Sequence, residues 1–411
     1  MEKMSKRDFS FWLLGYSLLM LMVGANLPSP LYSVYKNLWG FSSGMLTIIF
    51  AVYALILIPS LLLFGQISDY IGRKKVLLIG FLITFFSTVI FIFANGLFTL
   101  FLARALQGIA AGMISGTATA ALIELQPPKN NQMGSLIASL ATSGGTAIGP
   151  ILSGVLAQYS SFPTLLPYII HLFLLIPSFI VFWIMPETVK KTDEKKWKLQ
   201  KPNVPRNIRR EFSIGALVAF IAWSVTALFM SLIPSYVINF MEIQNLSIAG
   251  GVVFLMLGTS SMTQIFLKKF PIHTSMISGL LFLIGGLIGI VVAVPLHSLT
   301  LLLIGTITTG LGQGLSFMGA MMLVNKIAPK NSRGDVFSSL YVVIYLGVGI
   351  PIIGIGFGAQ SVGLYNSILI YTCFIASIIM IAIIIIFLKI SNVELNNKNR
   401  ARKKIKSDVN K

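Results

Sequence analysis

Gly65-Gln66-Ile67-Ser68-Asp69-Tyr70-Ile71-Gly72-Arg73-Lys74-Lys75 lies between two uncharged apolar runs, 44 to 64 and 76 to 94, and it decides how the chain is read. Three consecutive bases between such runs mark a short loop held on one side of a bilayer. The pattern repeats. Of the 31 Lys and Arg residues, 29 fall in seven places: Lys3, Lys6 and Arg7; Arg73, Lys74 and Lys75; Lys129; nine within 190 to 210; Lys268 and Lys269; Lys326, Lys330 and Arg333; and eight within 389 to 411. Every second connection between apolar runs is basic, and Lys36 is the only base in the others. This alternation predicts an even number of crossings with both termini in the cytoplasm.

Composition agrees. Hydrophobic residues make up 55% of the 411 and charged residues 10%, against roughly 25% charged in a soluble domain. The +19 net charge does not imply a nucleic-acid partner, because the bases are divided among loops instead of forming one stripe. The single cysteine, Cys373, excludes an intramolecular disulfide. The basic start is followed by an apolar run too long for a removed signal, so it is read as a retained first span.

Twelve runs approach the ~20 residues that cross a bilayer as a helix. They fall at 10 to 34, 44 to 64, 76 to 94, 98 to 123, 134 to 157, 163 to 185, 213 to 235, 247 to 266, 274 to 294, 299 to 325, 336 to 358 and 365 to 388. Uniform apolarity at helix length predicts helices and not the alternating strands of a barrel. The polar stretch 186 to 212 divides a six-helix bundle, 1 to 185, from a second, 213 to 390, followed by a basic tail, 391 to 411. The halves echo each other: Pro128-Lys129-Asn130, Gly134 and Pro150 answer Pro329-Lys330-Asn331, Gly334 and Pro351, with Lys, Asn and the later Pro at an offset of 201. Duplicated halves are the build of secondary transporters, with a site near the midplane.

The opening stretch resembles the signature loop of the major facilitator superfamily, G-x-x-x-D-x-x-G-R-[KR]-[KR], at Gly65, Asp69, Gly72, Arg73 and Lys74. Gly65 permits close helix approach, Gly72 a tight reversal, and the Asp–Arg pair a junction of helix ends. The resemblance implies a conformational latch in which Asp69 caps the start of the eleventh helix, where the dipole favours an anion. It also implies an all-α membrane protein of two pseudo-symmetric six-helix bundles.

Arg104, Gln107 and Gly108 are similar to the family's fourth-helix motif. Arg104 is the only base inside a span, about 9 Å below the surface. It could snorkel to the headgroups, bind an anionic substrate through its fork, or, as the resemblance suggests, hold a charge whose protonation drives the cycle. Gly145, Gly149, Pro150 and Gly154 in span five resemble the G-x-x-x-G-P-x-x-x-G run of the antiporter branches. There the glycines allow close contact and the proline bends the helix.

Spans one, seven and ten carry no acid in the cavity. Glu124 at the inner end of span four and His171 in span six are the titratable candidates. Asn26, Tyr32, Arg104, Gln107, Trp223, Thr226, Thr309 and Gln313 are the expected path residues, with Tyr53 and Tyr341 flanking. No phosphate-binding loop, metal-ligand cluster or paired catalytic carboxylates occur, so no enzyme, cofactor or metal is expected. The reading is a multi-pass transporter of the cell membrane, acting as a monomer and driven by a proton gradient. It exports a small amphipathic compound such as a drug, metabolite or siderophore. An importing symporter for an organic anion or sugar is the alternative, and a lipid-moving or sensory protein the third.

Overall fold

The computed structural model describes residues 6–127, 133–189, 203–240, 245–329 and 332–409. Lys3, Lys129, Asn130, Lys330, Asn331, Glu242 and the basic stretch 190–202 lie outside the described residues. The described chain is helical, without a strand. Its helices are α1 (Lys6–Asn26), α2 (Pro28–Trp39), α3 (Ser43–Ile71), α4 (Arg73–Ile92), α5 (Leu97–Leu125), α6 (Met133–Gln158), α7 (Leu166–Ile184), α8 (Arg209–Ser231), α9 (Ile233–Phe240), α10 (Leu246–Phe266), α11 (Ile272–Ala293), α12 (Leu299–Ile327), α13 (Arg333–Ser361) and α14 (Leu364–Val409).

Eleven described segments are long and apolar enough to cross a membrane, and Leu166–Val181 is a shorter apolar helix within α7. The expected spans all appear, with two refinements. The first crossing covers Lys6–Trp39 and breaks at Leu27, because Pro28 and Pro30 have no N–H to continue the ladder. The last span does not end its helix at 388: α14 continues to Val409. Sequence-local caps begin several helices. Ser42 accepts from Met45 N at 3.2 Å, Asn245 from Ser247 N at 2.9 Å, and Ser298 from Leu301 N at 3.2 Å.

With twelve crossings the chain begins and ends on one face, here the tail face; the other is the far face. Small residues set the helix spacing, since lipid supplies no hydrophobic drive between helices. A Cβ on Gly108 would lie 2.6 Å from Tyr53 O, and one on Gly112 2.6 Å from Ser60 Cβ, so α5 rests directly on α3. Gly312 likewise brings α12 against Leu283 N of α11.

The halves meet along two seams, α3 with α13 and α6 with α10, and through α2 with α8 and α9. Three hydrogen bonds stitch these contacts at the far face: Gln360 Nε2 donates to Ser42 Oγ, Leu246 N to Gln158 Oε1 at 2.7 Å, and Ser29 Oγ to Met230 O at 2.5 Å. Glycines close the same end. Gly356 abuts Thr47, Gly44 abuts Gln360 and Phe357, Gly250 abuts Pro150 O, and a Cβ on Gly154 would lie 2.5 Å from Leu246 O. Gly65 on α3 and Gly334 on α13 have nothing within 4 Å of where a Cβ would stand. The expectation that Gly65 admits a close helix neighbour is therefore corrected, and the hydrogen bonds that stitch the halves lie at the far face.

Candidate functional site

The break in the first crossing builds the central site. Pro28 cannot donate to Gly24 O four residues earlier, and Ala25 O lies in the final turn of α1, so two carbonyls need partners deep in the protein. Span four supplies them. Gln107 Nε2 donates to Gly24 O at 3.0 Å and Arg104 Nη1 to Ala25 O at 2.9 Å, while Gln107 Oε1 accepts from Arg104 Nη1 at 2.7 Å. Arg104 is 2% exposed, so it does not snorkel. Its guanidinium carbon lies 4.4 Å from the Tyr53 ring centroid and 5.7 Å from that of Phe50, at geometry where aromatic faces attract a cation.

Two donors here have no partner: Arg104 Nε and the Tyr32 hydroxyl. Tyr32 on α2 stands edge-on to Phe50, centroids 6.4 Å apart, within electrostatic range of Arg104. Asn26 Nδ2 bonds back to Met22 O at 2.7 Å. Across the seam, Trp223 on α8 packs edge-on to Phe317 at 5.5 Å and its Nε1 is unpaired. Tyr341 and Tyr345 on α13 lie within electrostatic range of each other, and Tyr345 of Tyr53.

Several expected path residues have partners on their own helix or within their own half. Thr226 Oγ1 returns to Ala222 O of its own helix at 2.9 Å. Thr309 Oγ1 bonds Gly305 O at 2.7 Å and faces Gly286 of α11, inside the second bundle. Gln313 Oε1 accepts from Ser260 of α10, again within one half. His171 is buried behind α1, its Nε2 2.9 Å from Met20 O and Nδ1 3.2 Å from Thr88 Oγ1, with its ring against Gly24. It braces the helix that carries the acceptors and does not face the opposite half. The reason is shared: helix periodicity gives each residue a face but not the helix that the face meets.

Glu124 is also relocated. It belongs to the tail-face latch, where Arg73 Nε donates to Glu124 Oε2 at 2.9 Å and Nη2 to Oε1 at 2.8 Å. Arg73 Nη1 pairs with Asp69 Oδ1 at 2.8 Å. Glu187, just beyond α7, accepts from Arg73 N at 2.9 Å and Lys74 N at 3.3 Å, capping α4. Gly72 makes that possible: at φ +105°, it leaves the space that the Glu187 carboxylate fills. Arg7 closes the α5 end by donating to Glu124 O at 2.9 Å and Leu125 O at 3.3 Å. The implied Asp69 cap on the eleventh helix is not the recorded contact; Asp69 pairs with Arg73 of its own half, 65% exposed. Replacing Glu187 with alanine uncaps α4 at a cost of about 1 kcal/mol. A lowered melting midpoint of the purified protein, with transport retained, checks this.

Span five divides its glycines between two partners. A Cβ on Gly145 would stand 2.5 Å from Leu19 O, and one on Gly149 2.6 Å from Val23 O, both on α1. Pro150 and Gly154 instead face α10 across the seam. A recess of about 280 Å³ lined by Arg210, Ser213, Ile214, Leu217, Ala382 and Ile385 lies between α8 and α14. Both helices belong to the second half, so this recess is off the seam. No described group of His, Cys, Asp and Glu could hold a metal.

Twelve crossings in two bundles, a signature loop locked at one face and a buried polar cluster at the break of the first crossing are the build of a secondary transporter. The chain belongs to the Major Facilitator Superfamily, whose profile matches residues 13–350. Quinolone resistance protein NorA of Staphylococcus aureus (strain MRSA252) is 24% identical over 298 residues, 71% of this chain and 74% of that protein. Multidrug resistance protein 1 of Bacillus subtilis (strain 168) is 29% identical over 240 residues, 57% and 60% of the two chains. An uncharacterized MFS-type transporter of Methanocaldococcus jannaschii is 22% identical over 89% of this chain and 94% of its own. The fold matches a crystal structure of a bacterial homolog of the human lysosomal transporter Spinster, inward-facing and unoccupied, with TM-score 0.75 at 14% identity over 94% of this chain and 98% of that one. The chain is therefore a multi-pass membrane transporter for small molecules, and not an enzyme.

Proposed function

We propose that this chain exports a small amphipathic compound across the cell membrane by alternating access, driven by an inward proton gradient, and that it works as a monomer. Both tails then lie in the cytoplasm, as the loop bases require. The observation that carries this reading is the one-sided closure: the far-face seams are stitched at Ser42–Gln360 and Gln158–Leu246 while Gly65 and Gly334 stand free at the tail face. With the tails inside, this is the state in which an exporter loads. The names of two relatives, a quinolone resistance protein and a multidrug resistance protein, point the same way.

The latch gives the two-state element that alternating access needs. Arg73 holds α3, α4 and α5 together at the tail face, so the first bundle moves as one body when Asp69 finds or leaves α13. Arg73→Ala frees Glu124 and Asp69, leaving two carboxylates without their shared cation. Transport falls at least tenfold while the protein still inserts, as measured by dye flux in vesicles against immunoblotted amounts. Export itself is tested in everted membrane vesicles: a fluorescent amphiphile should accumulate when the vesicles are acidified inside, and collapse of the gradient should stop it. Accumulation in intact cells instead would establish the importing symporter.

A further inference from the structure

We infer that Arg104 and Tyr32 form a binding site for the carboxylate of an amphipathic organic acid, with the Arg104 guanidinium edge and the Tyr32 hydroxyl as donors. The inference rests on the transporter reading and names the substrate class for it.

The guanidinium has two recorded partners, and both are on Nη1: Ala25 O and Gln107 Oε1. Both are neutral acceptors, so the charge is not balanced. The ion pairs of Arg73 with Asp69 and Glu124 lie at the tail face. Asp8, Asp69, Glu124, Glu187, Glu211 and Asp335 each stand at or near a tail-face helix end. Around it stand aromatic rings: Tyr32 from α2, Phe50 and Tyr53 from α3, and Tyr168 from α7 within electrostatic range.

A buried cation without an anion is a costly arrangement that a ligand can relieve. Stacking on Tyr53 uses the face of the guanidinium and leaves its edge. The Nη1 side is spent, which leaves the edge formed by Nε and Nη2, the fork that matches two carboxylate oxygens. Nε has no partner, and neither does the Tyr32 hydroxyl. Two orphaned buried donors within electrostatic range of each other, one of them on an uncompensated positive charge, select an anion. A cationic ligand would face Arg104 with no counter-charge, and a neutral one would leave that charge unmatched. Phe50 and Tyr53 provide a flat apolar wall for the rest of the molecule. At 2% exposure the guanidinium is occluded in this state. The ligand reaches it as the halves rearrange, since Tyr53 is flanked across the seam by Tyr345.

The test is equilibrium binding to purified protein of three radiolabelled probes: a quinolone carboxylic acid, its uncharged methyl ester, and ethidium as an aromatic cation. The acid should bind at least tenfold more tightly than its ester or ethidium. Arg104→Gln should erase that preference, with the affinity for the acid falling to that for its ester. Tyr32→Phe removes a hydroxyl that bonds to nothing in this state, so folding is preserved, and it should reduce the preference severalfold. Equal binding of acid and ester, tighter binding of ethidium, or an acid preference that survives both substitutions overturns the site. Acid preference without proton-driven export would defeat the efflux reading and leave the site standing; export without acid preference would do the reverse.

Discussion

Gly250→Ala abolishes transport without unfolding the protein. A methyl group at Gly250 is driven into the backbone carbonyl of Pro150 on the opposite half, and backbone cannot swing aside as a side chain can. Overpacking of this kind costs about 1–3 kcal/mol, paid only when the far-face seam is shut. Every 1.4 kcal/mol is a tenfold change in population, so the closed state loses roughly one to two orders of magnitude. The variant should sit open at the far face. Flux in vesicles and labelling of Ser42→Cys from the far side measure both consequences; normal flux with the far face still protected contradicts the seam.

Arg104→Ala is the second large effect. It orphans Ala25 O and Gln107 Oε1, each a buried acceptor whose loss of partner costs about 1–3 kcal/mol. It also empties the space under Tyr53 and releases the end of α1, whose break positions α2 against α8. Transport should fall at least a hundredfold, with a lower melting midpoint. Arg104→Lys keeps the charge but not the fork, and should restore stability more than transport, because lysine cannot serve Ala25, Gln107 and a ligand at once. Full transport by Arg104→Lys would show that charge alone is needed there.

The crossings were legible in the sequence because lipid leaves a chain few choices: about 20 apolar residues, helical, with bases kept to one side. The signature loop was legible too, since Gly72 and Arg73 act within a few residues of each other. What escaped was pairing at a distance. Glu187 caps α4 from 114 residues away, and nothing in its surroundings says so. Glu124 carries the same lesson: its depth in the span suggested the path, yet Arg73 on a neighbouring helix claims it. The one missed signal that the sequence did contain is Leu27-Pro28-Ser29-Pro30, two prolines inside the first span. They announce unsatisfied carbonyls, and the only polar side chains long enough to meet them on span four are Arg104 and Gln107. The sequence places Thr309 and Gln313 of span ten among the path residues, but their partners are in their own bundle, where Gly286 and Ser260 stand close.

The central claim is that the two halves exchange one closed face for the other. It is tested by distances between spin labels in a Cys373→Ser background, which removes the exposed native thiol. One protein carries labels at Ser42 and Gln360 on the far face, the other at Gly65 and Gly334 on the tail face. Without substrate or gradient, the far-face pair should be short and the tail-face pair long; under conditions that drive transport, the second should shorten as the first lengthens. Two distances that stay fixed together, or that lengthen and shorten in parallel, would contradict alternating access.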